Sequence, residues 1–286
     1  MKSRLSRLIK NVFIGRAKSP FDRDVFHKTS LIAFLAWIGL GADGLSSSCY
    51  GPEAAFLALQ GHPCLSVFVA LATVATVFLI SASYSQIIEL FPTGGGGYLV
   101  ASKLLSPNVG MVSGCALLID YVLTIALSVA SGAEAVFSFL PPEWLAFKVE
   151  AAAAVIVVLI VLNMRGVRES VEPLIPIFLT FVATHVFAIL YTFLTHAGQV
   201  PQILSDTAQD ARAATAQLGL WGVLMLIFRS YSLGAGTYTG IEAVSNGLNI
   251  LREPKVQTGK RTMTYMVWSL AFTVFGLMVA YLLFHV

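Results

Sequence analysis

The sequence predicts an all-α polytopic membrane protein, and three observations favour this class. Of the 286 residues, 57% are hydrophobic and 12% are charged, about half the charged share of a soluble domain. Seven apolar stretches are long enough to cross the hydrocarbon core, which takes about 20 residues of helix. Two of them carry glycines and polar residues at mid-span, which predicts discontinuous helices.

The first apolar stretch contains a polar, glycine-containing segment, GADGLSSSCYGPE, at its middle. Such a segment is tolerated at membrane depth only where protein encloses a cavity. We therefore expect two half-helices that meet at residues 41–48, with Asp43 as a candidate functional residue. The seven spans together occupy residues 30–60, 65–91, 108–138, 147–164, 170–195, 219–250 and 262–285.

The middle spans differ in what they carry. The second ends at FPTGGGGYLV, where Pro92 and four glycines predict a tight turn. In the third, Asp120 and Thr124 are one helical turn apart and share a face. The fourth has no internal polar group and is expected to pack against other helices. The fifth begins near Pro173 and Pro176, which favours a bent entry.

The last part of the chain alternates polar and apolar segments. Residues 196–218 are polar enough to leave the bilayer, so we expect an extracellular loop with a short surface helix. The sixth span is interrupted at SLGAGTYTGIEAVSNG. Broken helices at positions one and six are expected of inverted repeats of five helices each.

This periodicity predicts the domain organisation. Residues 1–28 form a basic cytoplasmic segment, 29–195 the first five-helix repeat, and 219–286 the first two helices of a second repeat. Because a complete inverted repeat needs about three more helices, we expect the chain to be truncated.

The distribution of basic residues predicts the orientation. With the amino terminus inside, 15 Lys and Arg flank the spans on the inner side and two on the outer side. Cytoplasmic flanks are enriched in both residues, so we expect a multi-pass protein of the cell membrane with a cytoplasmic amino terminus. The three cysteines lack zinc or disulfide spacing and are expected to be small core residues.

The candidate binding residues are polar groups at the expected helix breaks and on the third span. Mid-membrane carboxylates are costly and therefore favour function, and carbonyls, hydroxyls and carboxylates together suit hard cations. A serine or threonine can instead bond its own helix, and a tyrosine can simply pack. If the inner half of the sixth helix begins near Thr239, Thr239 shares a face with Glu242. The candidates are Asp43, Ser46, Ser47, Tyr50, Asp120, Tyr121, Thr124, Thr239 and Glu242.

Other classes of function find little support. The glycine turn lacks the Gly-Lys-Ser or Gly-Lys-Thr of a phosphate loop, and HEXXH is absent. We expect no enzyme activity, no cofactor beyond transported ions and no nucleic-acid partner; the expected partners are the lipid bilayer, a small cation and a second copy in a homodimer.

The order of the two interrupted motifs resembles the amino acid/polyamine/cation (APC) superfamily, and within it the Kim-type branch of the KUP potassium importers. Asp43 followed by the Ser46–Ser48 run and Tyr50–Gly51, then Asp120-Tyr121 with Thr124, then Thr239-Gly240 with Glu242 and Ser245–Gly247 match this branch. The resemblance implies a LeuT/APC-type fold and K⁺–H⁺ symport. It places K⁺ at Asp43, Tyr50, Asp120, Thr124, Thr239 and Glu242, and proton coupling at Glu242, Asp43 and Asp120.

The expected function is therefore potassium import coupled to protons by alternating access. An amino acid or polyamine permease of the same superfamily is the first alternative. A non-transporting membrane receptor or scaffold subunit is the second, and it is suggested only by the seven helices and the expected early stop of the chain.

Overall fold

The computed structural model describes residues 30–59, 61–165 and 167–284. The predicted basic segment 1–28 lies outside the described residues. The described part is built from helices, which we number in chain order: α1 Ala33–Ser47, α2 Gly51–Leu57, α3 Ser66–Leu90, α4 Gly96–Val100, α5 Pro107–Phe137, α6 Lys148–Arg165, α7 Val167–Val171, α8 Leu174–Thr195, α9 Val200–Leu233, α10 Ala243–Asn246 and α11 Lys255–Leu283.

Six helical segments among the described residues are long and apolar enough to cross a membrane. The first predicted span is absent from this set because it is divided into α1 and α2, each shorter than a membrane crossing. The predicted all-α polytopic membrane class is confirmed. The six segments are Pro63–Leu90, Pro107–Phe137, Pro142–Met164, Leu174–Thr195, Ala197–Asn246 and Lys255–Leu283.

The described chain forms two compact units. The first unit comprises the described residues of 1–40, with 87–177 and 244–262; the second comprises 41–86, 178–243 and the described residues of 263–286. The predicted repeat boundaries at residues 29, 196 and 219 stay predictions.

The glycine turn of the first unit follows the sequence expectation. Gly94, Gly95 and Gly96 all have positive φ, a backbone conformation that glycine adopts without steric cost. The Gly95 amide donates to the Asn246 carbonyl at 3.3 Å. A side chain on Gly96 would collide with those of Ser245 and Asn246, so the turn needs glycine for contact as well as for conformation.

Two main-chain hydrogen bonds join extended residues of two separate chain segments in this unit. The Leu31 amide donates to the Ile250 carbonyl at 2.9 Å, and the Arg252 amide donates to the Leu31 carbonyl at 2.9 Å. We call this pair of bonds the Leu31 bridge. It connects the residues just before α1 to those that follow α10.

The core of the second unit gathers apolar side chains from four segments of chain. Phe56 packs edge-on against Tyr281, with ring centroids 5.3 Å apart. The buried Ser230 hydroxyl donates to the Ala55 carbonyl at 2.6 Å. Their buried neighbours include Leu59, Leu65, Val69, Ala70, Ala214, Val223, Met278 and Leu282.

The segment expected to be a loop with a short helix is mostly helical. After a 3₁₀ turn at Ala197–Gln199, α9 begins at Val200 and runs to a kink at Gly219, which has φ +70°. Asp210 on this helix accepts from the Cys64 amide at 3.1 Å and lies 2.7 Å from His62 Nδ1. The apolar chain before α3 is thereby fixed to a polar helix.

Two expectations about burial were wrong. No residue in the apolar window of the fourth span is buried within the described chain, although that span was expected to pack. Cys49 and Cys115 are exposed rather than in the core. In a membrane, apolar side chains can face lipid at no hydrophobic cost, so apolarity alone does not indicate an interior position.

Candidate functional site

The first helix is interrupted, but not where the sequence suggested. α1 continues through residues 41–47, and the break lies at 48–50, before α2 begins at Gly51. Pro52 explains this position, because its ring would clash with the carbonyl of Ser48 in a continuous helix. Asp43 therefore lies within α1, one turn before the break.

Serine hydroxyls take up the carbonyls at the end of α1. Ser46 and Ser47 both donate to the Asp43 carbonyl at 2.9 Å, and Ser48 donates to the Leu45 carbonyl at 2.5 Å. The next three amides also close this end of α1, with main-chain bonds to the carbonyls three residues earlier: Ser48 to Leu45, Cys49 to Ser46 and Tyr50 to Ser47. The serine hydroxyls therefore add donors to a helix end that main-chain bonds already satisfy. The alternative that these serines bond their own helix is thus part of the structure.

The sixth helix is interrupted as predicted, with a different inner boundary. After α9 a 3₁₀ turn covers Gly234–Tyr238, Thr239 is extended, and Gly240 has φ +86°. α10 begins only at Ala243. Glu242 therefore lies in the turn before α10, and the expected shared helical face of Thr239 and Glu242 does not form.

Helix α1 and the second break meet backbone to backbone. A Cβ on Gly240 would lie 2.9 Å from the Gly44 amide nitrogen and 3.0 Å from Asp43 Oδ2. A Cβ on Gly44 would lie 3.2 Å from the Thr239 carbonyl oxygen. The Asp43 carboxylate consequently lies against the main chain of the second break. The candidate residues did not include these glycines, although glycines at two expected breaks were a usable signal.

Three hydroxyl groups join the breaks, and we call them the hydroxyl cluster: Ser47, Tyr50 and Thr239. Tyr50 Oη donates to Ser47 Oγ at 2.9 Å, and Ser47 Oγ lies 3.2 Å from Thr239 Oγ1. Ser47 also reaches the Asp43 carbonyl at 2.9 Å, and Thr239 reaches the Gly236 carbonyl at 2.8 Å.

The three hydroxyls of the cluster have one hydrogen fewer than their four contacts would use. Each hydroxyl carries one hydrogen, so three hydrogens serve the four contacts just described. When Ser47 and Thr239 both donate to carbonyls, their oxygens face each other at 3.2 Å with only lone pairs between them. A cation next to both oxygens would relieve this deficit.

The second candidate carboxylate of this unit lies in the second break. Glu242 is partly buried and lies within electrostatic range of the Tyr84 hydroxyl on α3. Tyr84 was not among the candidate residues, because a lone tyrosine in an apolar span gives no sequence signal for a site.

The other candidates belong to the first unit. Asp120, Tyr121 and Thr124 lie on α5, where Thr124 is buried and Asp120 is partly buried. The Asn246 amide donates to Tyr121 Oη at 2.9 Å. Asn246 was part of the third motif but was not chosen as a site residue, since its partner is 125 residues away.

A metal centre with three or more side-chain ligands of the usual kinds finds no ligand set in the part of the chain that the structure describes. There, no group of three or more His, Cys, Asp or Glu side chains could hold a metal ion. Oxygen donors from hydroxyls and carbonyls are what the second unit supplies, and these suit hard monovalent cations.

Comparison with known proteins matches nearly the whole chain to membrane permeases. A family model described as amino acid permease matches residues 29–285. The chain is 30% identical to the potassium transporter KimA of Bacillus subtilis (strain 168) over 276 residues, which are 95% of this chain and 44% of that protein. The chain thus spans less than half the length of this relative. With its apolar helices and broken spans, the chain belongs to the amino acid permease family of the APC superfamily of membrane transporters.

Proposed function

We propose that the protein imports K⁺ together with protons across the cell membrane by alternating access. The observation that carries this proposal is the hydroxyl cluster between the two breaks. It has three hydrogens for four contacts, and the Asp43 carboxylate lies nearby. The relative KimA, a potassium transporter, supports the same substrate.

A dehydrated K⁺ ion suits this cluster for an electrostatic reason. Ser47 and Thr239 can direct their hydrogens to carbonyls while their lone pairs turn to the ion. Asp43, close to the Gly240 main chain, supplies the negative charge. Tyr50 is a further ligand of the proposal, and the ligand roles expected of Asp120 and Thr124 stay predictions of the sequence.

Proton coupling in this proposal comes from the carboxylates. In a medium of low dielectric, a carboxylate is stabilised either by a proton or by a nearby cation. Proton and K⁺ occupancy are then linked at the same groups. We assign the proton to Glu242, which lies in the second break, and the charged ligand role to Asp43.

The test is uptake of labelled rubidium by the protein in liposomes, with and without an inward proton gradient. Ser47→Ala removes a shared oxygen of the hydroxyl cluster, and a lost hydrogen-bonding ligand is worth about 1.4 kcal/mol or tenfold in affinity. We expect the half-saturating rubidium concentration to rise about tenfold.

Ser83→Ala is the matched control, because the Ser83 hydroxyl donates to the Leu79 carbonyl of its own membrane helix at 3.1 Å. Its rubidium affinity should not change. The proposal would be contradicted if the Ser47 and Ser83 variants had equal affinities for rubidium. It would also be contradicted if the proton gradient did not change the rate of rubidium uptake.

A polyamine or amino acid permease is the second candidate, because the matching family model carries the description amino acid permease. In transporters with broken helices a substrate carboxylate binds at a half-helix amino terminus, which here is the start of α2. Asp43 lies one turn before this break and would repel an anionic group. Cationic polyamines therefore fit better than neutral amino acids, and uptake of labelled putrescine without rubidium uptake would favour this candidate.

A further inference from the structure

A cysteine and a histidine face each other beside the first helix break. Cys49 lies within the break at 48–50, is a free thiol and is exposed. Its Sγ is 4.0 Å from Nε2 of His185 on α8. Both residues belong to the second unit, and neither takes part in the hydroxyl cluster.

The imidazole of His185 is held in one orientation and one tautomer. Its Nδ1 lies 2.8 Å from the Phe181 carbonyl oxygen, one turn earlier on α8. A carbonyl only accepts, so Nδ1 carries the hydrogen and, in the neutral ring, Nε2 keeps its lone pair. The Phe181 ring lies against the imidazole, with centroids 3.9 Å apart. Histidines that bind metals are commonly fixed through their second nitrogen in this way.

The separation of sulfur and nitrogen suits a bridging metal ion. Taking the bond lengths of zinc as a guide, a metal–sulfur bond of about 2.3 Å and a metal–nitrogen bond of about 2.0 Å put the two donors about 3.5 Å apart in a tetrahedral site and about 4.3 Å apart in a linear one. The observed 4.0 Å lies between these values and nearer the linear arrangement. An ion with few ligands fits without large movement of either residue.

We propose that Cys49 Sγ and His185 Nε2 bind a thiophilic monovalent metal ion of the Cu(I) type. Cysteine sulfur is a soft ligand that selects Cu(I), whereas structural zinc takes four protein ligands. The described residues offer no cluster of three such ligands, which favours an ion of low coordination number. On binding, the Cys49 thiol proton leaves to solvent, a sulfur–metal bond forms, and no group is oxidised or reduced.

Such a bridge ties the chain of the first break to α8. The binding inference does not depend on which substrate the transporter carries. Labelling of a thiol can therefore test it separately from rubidium uptake, and failure of one proposal leaves the other standing.

The experiment uses Ag⁺ as the probe and the purified chain with Cys64 and Cys115 changed to serine, so that Cys49 is the single thiol. Maleimide labelling of Cys49 is measured against Ag⁺ concentration. We expect Ag⁺ to protect Cys49, and His185→Ala to raise the protecting concentration 10- to 100-fold, the usual cost of losing an ordering or ligating partner at a metal site.

His196→Ala is the matched histidine control, because His196 directly follows the same helix and contacts Thr195 and Phe284 instead. It should leave Ag⁺ protection unchanged. If Ag⁺ protects Cys49 at the same concentration in the His185 and His196 variants, sulfur binds the ion alone and the inference is overturned.

A measurement on the single-thiol protein with both histidines intact guards against a histidine variant that fails to fold. X-ray absorption at the silver edge should show one sulfur and one nitrogen neighbour at one equivalent of Ag⁺. A spectrum with sulfur neighbours only would overturn the inference even if both histidine variants were unstable.

Discussion

The contact between α1 and the second helix break makes Gly240→Ala a sharp test of the site geometry. Gly240 has φ +86°, a conformation that costs an ordinary residue roughly 1–2 kcal/mol. The added methyl would also lie 2.9 Å from the Gly44 amide nitrogen and 3.0 Å from Asp43 Oδ2. Overpacking of this kind costs about 1–3 kcal/mol, so we expect a total loss of about 2–5 kcal/mol in the free energy of unfolding.

Two other glycines separate the contributions. Gly61 has φ +79° with no atom within 4 Å of an added Cβ, so Gly61→Ala should cost the conformational strain alone. Gly198 has neither positive φ nor a close neighbour, so Gly198→Ala should cost almost nothing.

Thermal unfolding in detergent measures all three variants. For a chain of this size about 1 kcal/mol corresponds to roughly 2–4 °C in Tm. We expect Gly198→Ala to match the parent, Gly61→Ala to fall by a few degrees and Gly240→Ala to fall by about twice as much or more. The same Gly240 variant should lose rubidium uptake, because the methyl displaces Asp43. If the Gly240 variant has the same Tm as the Gly61 variant, the close approach of α1 to the second break is refuted.

The remaining predictions concern stability. Asp210→Ala removes the acceptor for His62 and should lower the free energy of unfolding by about 2–3 kcal/mol, measured by thermal melting beside Asp206→Ala, which should cost less. Ser230→Ala leaves the buried Ala55 carbonyl without its donor and should cost about 1–3 kcal/mol, read from the same melts; a cost near zero would mean that water replaces the hydroxyl.

The fold class and the presence of both helix breaks could be predicted from the sequence. Runs of glycine, proline and serine inside an apolar span favour an interruption of the membrane helix. The main-chain groups left without helical partners there are tolerated only where protein encloses a cavity. The exact position of the first break could not be predicted from its glycines, because a glycine weakens a helix without ending it. Helix α1 continues past Gly41 and Gly44 to Ser47.

The contacts that assemble the candidate site lie beyond sequence patterns. Ser47 and Thr239 are 192 residues apart, and their meeting depends on how whole helices pack. The third motif suggested Thr239 and Glu242 by helical spacing, but Gly240 at positive φ delays the helix to Ala243. Local spacing rules fail where a single backbone conformation redirects the chain.

The Leu31 bridge carries a mechanical implication. Where water is scarce, separating two main-chain hydrogen bonds leaves four polar groups without partners, at a cost of several kcal/mol. The segment before α1 and the segment after α10 should thus move together as one rigid body. A transport cycle that rocks either segment would carry its counterpart along, and cross-linking Leu31→Cys to Leu251→Cys should leave turnover intact.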